Sequence, residues 1–499
     1  MTALDRSRTV GVVGAGTMGQ GIAQVALLAG HRVLLHDAGP GLAGKGVAGV
    51  AARLDRLAEK GRLDAAEHKA ALDRLDAADG IGGLAGAGLV VEAVVEDLAV
   101  KQRLFAELEG LVAEDCLLAT NTSSLSVTAV AGALRLPGRL VGLHFFNPAP
   151  LLPLVEVVAG AASDPAAVTD AYDTAAAWGK TPVRCADTPG FLVNRVARPF
   201  YAEALRVYEE RAADPATIDA VLRECGGFAM GPFALMDLIG QDVNEAVTRS
   251  VWEGFFHDPK FTPSLAQRRL VESGRLGRKT GHGWFPYGEG AEGAAGPHTA
   301  APAAAPPYVV LRGDLGPARE LVGLLGEAGI EVRRVEGSPG LLELPDGTPV
   351  RLEEGDLEPG IHFDLALDYR TAGRIALAPM PDVSDAALAA ATGLFQALGK
   401  QVSVIRDVPG MVVARTVAML VDLAADAVAR EVASAHDVDT AMRLGVNYPL
   451  GPLEWGQRLS TGWVIDLLYN LHDSYPTGRY APSPGLVRRT LAEQDEVSS

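Results

Sequence analysis

Residues 178 to 232 of this 499-residue chain recur at 398 to 452, at a constant spacing of 220 (398 − 178), with no insertion or deletion. Gly179 and Lys180 return as Gly399 and Lys400, and Asp187, Pro189 and Gly190 as Asp407, Pro409 and Gly410. Arg195, Asp219, Gly231 and Pro232 return as Arg415, Asp439, Gly451 and Pro452. Register held over so long a stretch marks a duplicated structural unit, so the chain must house two copies of one fold. The copy extends upstream in weakened form. YVVLRGDLGPARELVGLLGEAGIEV at 308 to 332 parallels TVGVVGAGTMGQGIAQVALLAGHRV at 9 to 33, with Leu315 against Gly16 and Ala318 against Gly19. Length alone allows roughly three domains; the duplication raises the count to nearer four.

The segments around the repeat differ in pattern. Residues 1 to about 185 alternate short Val/Leu runs with helical stretches, which predicts βαβ units and a parallel sheet. Residues 187 to 285 have helical apolar spacing and no strand runs. Residues 289 to 307, EGAEGAAGPHTAAPAAAPP, carry no apolar period and suit an extended or flexible linker. The expected layout is 1–186, 187–288, the linker 289–307, a degenerate α/β segment 308–405, and a second helical copy 406–499.

Composition excludes several classes. The formal net charge is −18, a field that repels nucleic acid and anionic membrane surfaces. No apolar run reaches the ~18 residues of a membrane span. The N-terminus has no secretory pattern. Cys116, Cys185 and Cys225 are few and unpaired by spacing, so they read as buried thiols of a cytoplasmic protein, with neither a disulfide frame nor a metal site.

The strand run Val10–Val13 leads into Gly14-Ala15-Gly16-Thr17-Met18-Gly19 and an amphipathic helix through Leu28. Strand, glycine loop and helix in this order are the context of a dinucleotide fingerprint. Gly14 serves the tight turn, Gly16 the approach of a pyrophosphate, and Gly19 close packing of helix on strand, while the helix N-terminus faces the phosphate charge. The next strand, His31 to His36, ends in Asp37, 23 positions (37 − 14) after the first glycine. A carboxylate there accepts from ribose hydroxyls and repels a 2′-phosphate, so the expected cofactor is NAD.

Further on, the run Gly88 to Val94 carries Glu92 and leads to Glu96 and Lys101, followed by Thr120-Asn-Thr-Ser-Ser124. His144 lies among apolar and aromatic residues, and Glu156 lies inside an apolar strand. A buried unpaired carboxylate is costly, and each of these two accounts for the other. A Glu paired to a His fixes its tautomer and stabilises the imidazolium, leaving the second nitrogen for proton transfer.

The set GAGTMG, VVEAVVED with Lys101, TNTSSLS, HFFNP with VEV, DTPGFLVNR and GRKTGHGWFPY resembles the 3-hydroxyacyl-CoA dehydrogenase family. The resemblance runs from residue 9 to about 287 and returns weakly to about 470. It implies a Rossmann domain, an all-α domain like that of 6-phosphogluconate dehydrogenase, then a degenerate α/β segment and a second helical domain. The long form is similar to bacterial enzymes acting on 3-hydroxyadipyl-CoA in phenylacetate catabolism and to long 3-hydroxybutyryl-CoA dehydrogenases. The resemblance makes His144 the catalytic base and Glu156 its partner. Ser123 then contacts substrate and nicotinamide, and Asn194 polarises the substrate oxygen. Asp37, Glu96, Lys101, Asn147 and Lys279 fall on NAD contacts, and Arg53 and Lys60 on CoA contacts. Without the resemblance, Ser123 and Ser124 could cap a helix, Asn194 could bridge helices, and Lys101, Arg53 and Lys60 could be solvated charges.

The second copy is an internal control. The spacing of 220 puts Asp364 at His144, Ala376 at Glu156 and Ala414 at Asn194; a shift of two would instead bring His362 to His144 and Arg374 to Glu156. Turn and packing residues persist while chemical residues are lost. The copy is therefore expected to pack on the first helical domain as an internal pseudo-dimer, with or without a homodimer. Besides an acyl-CoA dehydrogenase, two readings stand: an L-gulonate dehydrogenase resembling lambda-crystallin, and a non-catalytic nucleotide-binding or structural protein.

Overall fold

The computed structural model describes residues 3–288, 296–337, 340–355 and 358–498. They form two compact units, Met1–Val193 with Glu431–Val446, and Asn194–Arg430 with Asn447–Ser499.

The first unit is built on eight strands: β1 (Thr9–Val13), β2 (Val33–His36), β3 (Leu75–Ala77), β4 (Ala87–Glu92), β5 (Leu117–Thr120), β6 (Leu140–Phe145), β7 (Leu154–Ala159) and β8 (Thr181–Ala186). Their order is β3-β2-β1-β4-β5-β6-β7-β8. The central runs are apolar at nearly every position because helices cover both faces. Val10, Val12, Leu89 and Val91 are fully buried with Ile22 and Ala26 of the helix Thr17–Leu28. The sheet departs from the expected all-parallel pattern at β7, which runs antiparallel to β6. Only residues 146–153 join these strands, too few for a crossover helix. This hairpin sets the register His144↔Glu156. The helix Ala435–Val446, from the second copy, packs on β7 and β8.

The second unit holds a reduced version of the sheet: β9 (Tyr308–Arg312), β10 (Glu331–Val335), β11 (Leu341–Glu343), β12 (Pro349–Leu352), β13 (Ile361–Phe363), β14 (Arg374–Pro379) and β15 (Gln401–Val404). The order is β10-β9-β11-β12-β13-β14-β15. β9 and β10 pair in parallel, as β1 and β2 do. β11 occupies the place of β4 but runs antiparallel to both β9 and β12. A short hairpin thus replaces a strand–helix–strand passage, and β10 leads to β11 without counterparts, among the described residues, of β3 and the helices Leu42–Glu59 and Ala65–Leu72; both changes shorten the segment. Leu315 and Ala318, where the first copy has loop glycines, are buried. Leu315 thus sets a buried side chain at the repeat position of Gly16.

The helices Pro215–Glu224, Pro232–Ile239 and Gln241–Gly254 return as Ala435–Val446, Pro452–Leu459 and Thr461–Ser474, so the spacing of 220 outlasts the recognisable sequence repeat. Within the second unit the two helical copies meet reciprocally. Phe228 and Tyr448 hold the same repeat position and stack edge to face at 5.1 Å. Arg195 donates to Asp426 at 2.7 Å, and Arg415 donates to Glu210 at 3.0 Å. Glu203 accepts from Arg479 at 2.5 Å and from Tyr480 at 2.7 Å, while Lys260 donates to Asp422. The same face used by both partners is the mark of a two-fold interface.

The retained lysines also have a shared task. Lys180 donates to the carbonyls of Ala149 and Leu152, and Lys400 to those of Arg370 and Ala372. Of the expected linker, 289–295 lies outside the described residues. Residues 296–307 form no helix or strand but are tied to β15, with Ala300 donating to Val402 and His298 Nδ1 accepting from Val404.

Candidate active site

The glycine loop lies at the carboxyl end of β1. Gly14 has φ +107°, and a Cβ there would stand 2.4 Å from the carbonyl oxygen of Ala93. A Cβ on Gly19 would stand 1.8 Å from the oxygen of Gly14, so the helix reaches the strand only without side chains. Gly16 differs, since a Cβ there meets nothing within 4 Å. It is the N-cap of the helix Thr17–Leu28 and no side chain caps it. An open loop beneath an uncapped helix N-terminus fits a pyrophosphate. Asp37, at the end of β2, accepts from the Ala15 amide at 2.8 Å and from Gly39 at 3.0 Å. It braces the loop, and lone pairs remain for a ribose.

Beside it runs a buried charged network. Lys101 is 1% exposed and donates to Glu92 at 2.5 Å, with Glu96 at 3.2 Å. Thr120 donates to the other Glu92 oxygen at 2.7 Å. Glu96 accepts from Thr122 Oγ1 at 2.6 Å and from the Ser123 and Ser124 amides at 2.9 and 3.1 Å. Burial opposes its ionisation, but the Lys101 ammonium and these donors outweigh burial and hold its carboxyl below the usual range. Lys101 therefore acts through carboxylates rather than projecting into solvent, and Glu96 anchors the turn that carries Ser123. Ser126, not Ser123 or Ser124, caps the next helix, accepting from Ala129.

His144 and Glu156 face each other across β6 and β7. His144 Nδ1 lies 2.6 Å from Glu156 Oε2. Glu156 is fully buried, and its Oε1 accepts from the Leu192 and Val193 amides at 3.0 and 2.8 Å. With every side of the carboxylate engaged, the imidazole is fixed with Nε2 as its free nitrogen; no described residue bonds it. Phe146 and Phe191 wall the ring at 4.6 and 5.9 Å between centroids. Asn121 accepts from the Phe145 amide at 2.8 Å and joins the Ser123 turn to β6. Asn147 is exposed just past β6, Arg53 is half-buried on the helix Leu42–Glu59, and Lys60 is exposed at its end.

Asn194 and Lys279 belong to the second unit. Asn194 Oδ1 accepts from Arg198 at 3.3 Å, and Lys279 donates to Asp242 at 2.5 Å.

The second copy keeps the spacing of 220 through its strands. Asp364 follows β13, and its amide donates to the carbonyl of Ala376. The pairing Phe363↔Leu377 matches Leu143↔Val157. Asp364 thus stands at His144 and Ala376 at Glu156, and the shift of two is excluded. Asp364 accepts from the Val412, Val413 and Ala414 amides at 3.1, 2.8 and 3.1 Å. The first two are the counterparts of the amides that Glu156 holds. A carboxyl group still holds these amides, the histidine is gone, and burial pushes Asp364 up to about 7.

Sequence reasoning assigned no site role to Glu92, Asn121 or Lys180. Glu92 carried the same signal as Glu156, a carboxylate in an apolar strand. Lys180 was marked by its return as Lys400.

A mostly parallel sheet with an open glycine loop, and a histidine–carboxylate pair on adjoining strands, defines a nicotinamide-dependent dehydrogenase. Residues 9–188 match the family described as 3-hydroxyacyl-CoA dehydrogenase, NAD binding domain. Residues 190–287 and 410–497 both match its C-terminal domain, and 344–409 match a 3-hydroxybutyryl-CoA dehydrogenase reduced Rossmann-fold domain. The chain is 43% identical over 491 residues to a 3-hydroxyadipyl-CoA dehydrogenase of Escherichia coli K12, covering 97% of this chain and 98% of that one. It is 39% identical over 287 residues to the mitochondrial hydroxyacyl-coenzyme A dehydrogenase of Sus scrofa, 56% of this chain and 90% of that one. A crystal structure of a 3-hydroxybutyryl-CoA dehydrogenase from Escherichia coli K12 superposes with a TM-score of 0.89 at 40% identity, covering 99% and 100% of the two chains. The chain belongs to the NAD-dependent 3-hydroxyacyl-CoA dehydrogenase family.

Proposed function

We propose that this chain reversibly oxidises the 3-hydroxyl of an acyl-CoA, with His144 Nε2 taking the hydroxyl proton. The observation that carries this reading is the 2.6 Å bond between His144 Nδ1 and a fully buried Glu156. Glu156 stabilises the imidazolium that forms, and in the reverse direction His144 returns the proton. Ser123, on the turn held by Glu96, and Asn194 stabilise charge on the substrate oxygen. The bound nicotinamide supplies the hydride acceptor. Gly14, Gly16, Gly19 and Asp37 cradle it, with Glu96, Lys101, Asn147 and Lys279 as family-assigned contacts. Arg53 and Lys60 are the proposed CoA contacts, and neither has an ion-pair partner among the described residues.

Full-length similarity to a 3-hydroxyadipyl-CoA dehydrogenase supports an acyl-CoA substrate over a sugar acid. Three free, buried cysteines support a cytoplasmic location. Since the reciprocal face of the helical copies is filled from within the chain, any homodimer would use another surface. The test is absorbance in the NADH band, with NADH and acetoacetyl-CoA in one arm and NAD+ with free sugar acids in the control arm. Loss of NADH with the thioester and no NADH formed from the sugar acids is expected; binding of NADH without turnover of any acyl-CoA contradicts the reading.

A further inference from the structure

Arg198 opens the helix Arg198–Glu209 in the second unit and is 5% exposed. Its Nε donates to the Asn194 carbonyl at 2.8 Å, Nη1 to Thr248 Oγ1 at 3.1 Å and Nη2 to Asn194 Oδ1 at 3.3 Å. All three acceptors are neutral. Among the described residues no carboxylate lies within 4.0 Å of the guanidinium. Every other arginine buried to this degree has one: Arg195 has Asp426, Arg374 has Glu224, Arg415 has Glu210 and Arg479 has Glu203. A buried cation without a counter-ion is expensive.

The fold does not require it. At the spacing of 220 the second copy has Ala418 there, as it has Ala414 for Asn194, while the intervening Arg195 survives as Arg415. Arg198 is therefore present in the copy that holds the chemical residues and absent from the copy that holds only the packing residues. It lines a cavity of about 290 Å³ with Tyr201, Leu205, Arg206, Thr248 and Gln267. Tyr201, Thr248 and Gln267 correspond to Val421, Leu468 and Val487 in the second copy, so these polar lining positions are apolar there. The cavity's one carboxylate, Glu209, is three helical turns from Arg198 and accepts from Ser264 and the Ala266 amide.

We infer that Arg198 binds a carboxylate at the far end of the acyl chain, so that the substrates are 3-hydroxyacyl-CoA thioesters ending in a carboxylate. This rests on the proposed dehydrogenase reading, with Asn194 at the substrate oxygen. Arg198 follows Asn194 by four residues, one helical turn or about 6 Å. The guanidinium itself lies 3.3 Å from Asn194 Oδ1, and a carboxyl carbon three bonds beyond the carbinol carbon lies about 4 Å from it in an extended chain, within hydrogen-bonding reach of a guanidinium beside the Asn194 amide. A methyl-terminated chain leaves the guanidinium without a counter-ion.

The test compares kcat/KM for 3-hydroxyadipyl-CoA and 3-hydroxybutyryl-CoA in the full chain and in its R198M and R198K variants. The parent should favour the dicarboxylic thioester, and R198M should lower that preference by about 100-fold, mainly through KM. R198K, which keeps the charge but not the fork, should fall between them. R198M should also melt above the parent, because an uncompensated buried charge is gone; a merely structural arginine would lower the melting temperature. A preference ratio within about threefold of the parent's in R198M overturns the inference, including the case where Arg198 serves a CoA phosphate and both substrates suffer alike. A parent chain inert to both thioesters while binding NADH overturns the dehydrogenase reading itself, and the inference with it.

Discussion

His144 and His362 are both buried beside carboxylates, and the groups around them give them different work. His144 has one carboxylate on Nδ1 and a free Nε2. His362 has Glu353 at 2.7 Å and Asp407 at 3.0 Å on Nδ1, and Nε2 lies 2.9 Å from the Glu358 carbonyl. Burial opposes its charge, but the hydrogen bond to Asp407 and the Glu353 carboxylate beside it outweigh burial and push its pKa up to about 10. A folded value above the unfolded 6.5 means stability fully present below about pH 6.5 and lost as pH rises through about 10. H362Q should accordingly be less stable than the parent at pH 6, with the difference in melting temperature shrinking towards pH 10.5. A difference independent of pH would remove the charged triad from the account. Sequence reading found the His144–Glu156 pair because two costly residues accounted for each other. It could not find the His362 triad, whose members come from three separate segments that only the sheet brings together.

The glycine loop joins strand to helix, and its three glycines make separable predictions. G19A should displace the helix, because its methyl would meet the Gly14 carbonyl, a backbone group with no rotamer to yield. It should cost about 1–3 kcal/mol of stability along with NADH binding. G16A meets nothing within 4 Å and should leave stability within about 0.5 kcal/mol. It should still weaken NADH about 10-fold or more, since its methyl takes the space left for the pyrophosphate. Calorimetric unfolding beside NADH titration checks both; equal destabilisation by the two variants contradicts the assignment. This element was legible because spacing encodes it. The antiparallel β7 was not, since apolar runs carry no direction. Nor was β11, a new hairpin that shares no residues with the helical passage it replaces.

The whole chain uses its second half as a partner. Arg195 and Glu203 are buried in the first helical copy, and their charges are met by Asp426, Arg415 and Arg479 from the second. Deleting residues 308–499 strips these counter-charges and the Phe228–Tyr448 contact, and removes the helix Ala435–Val446 from β7 and β8. The truncated chain should aggregate or dimerise when examined by sedimentation; a soluble, fully active monomer would contradict a structural role for the duplicate. The duplication and the pairing of its copies were legible from spacing, but the residues that make the contacts were not. Glu203, Asp422 and Lys260 have unlike residues at their repeat positions, so a self-comparison passes over them.

The central claim is one working site per chain, in the first copy, with His144 as its base. The most direct measurement is turnover of acetoacetyl-CoA by full-length H144Q, alongside NADH binding by titration. Turnover should fall by about 1,000-fold or more, with one NADH bound per chain at nearly unchanged affinity. Turnover within about tenfold of the parent, or a second NADH bound per chain, would contradict it.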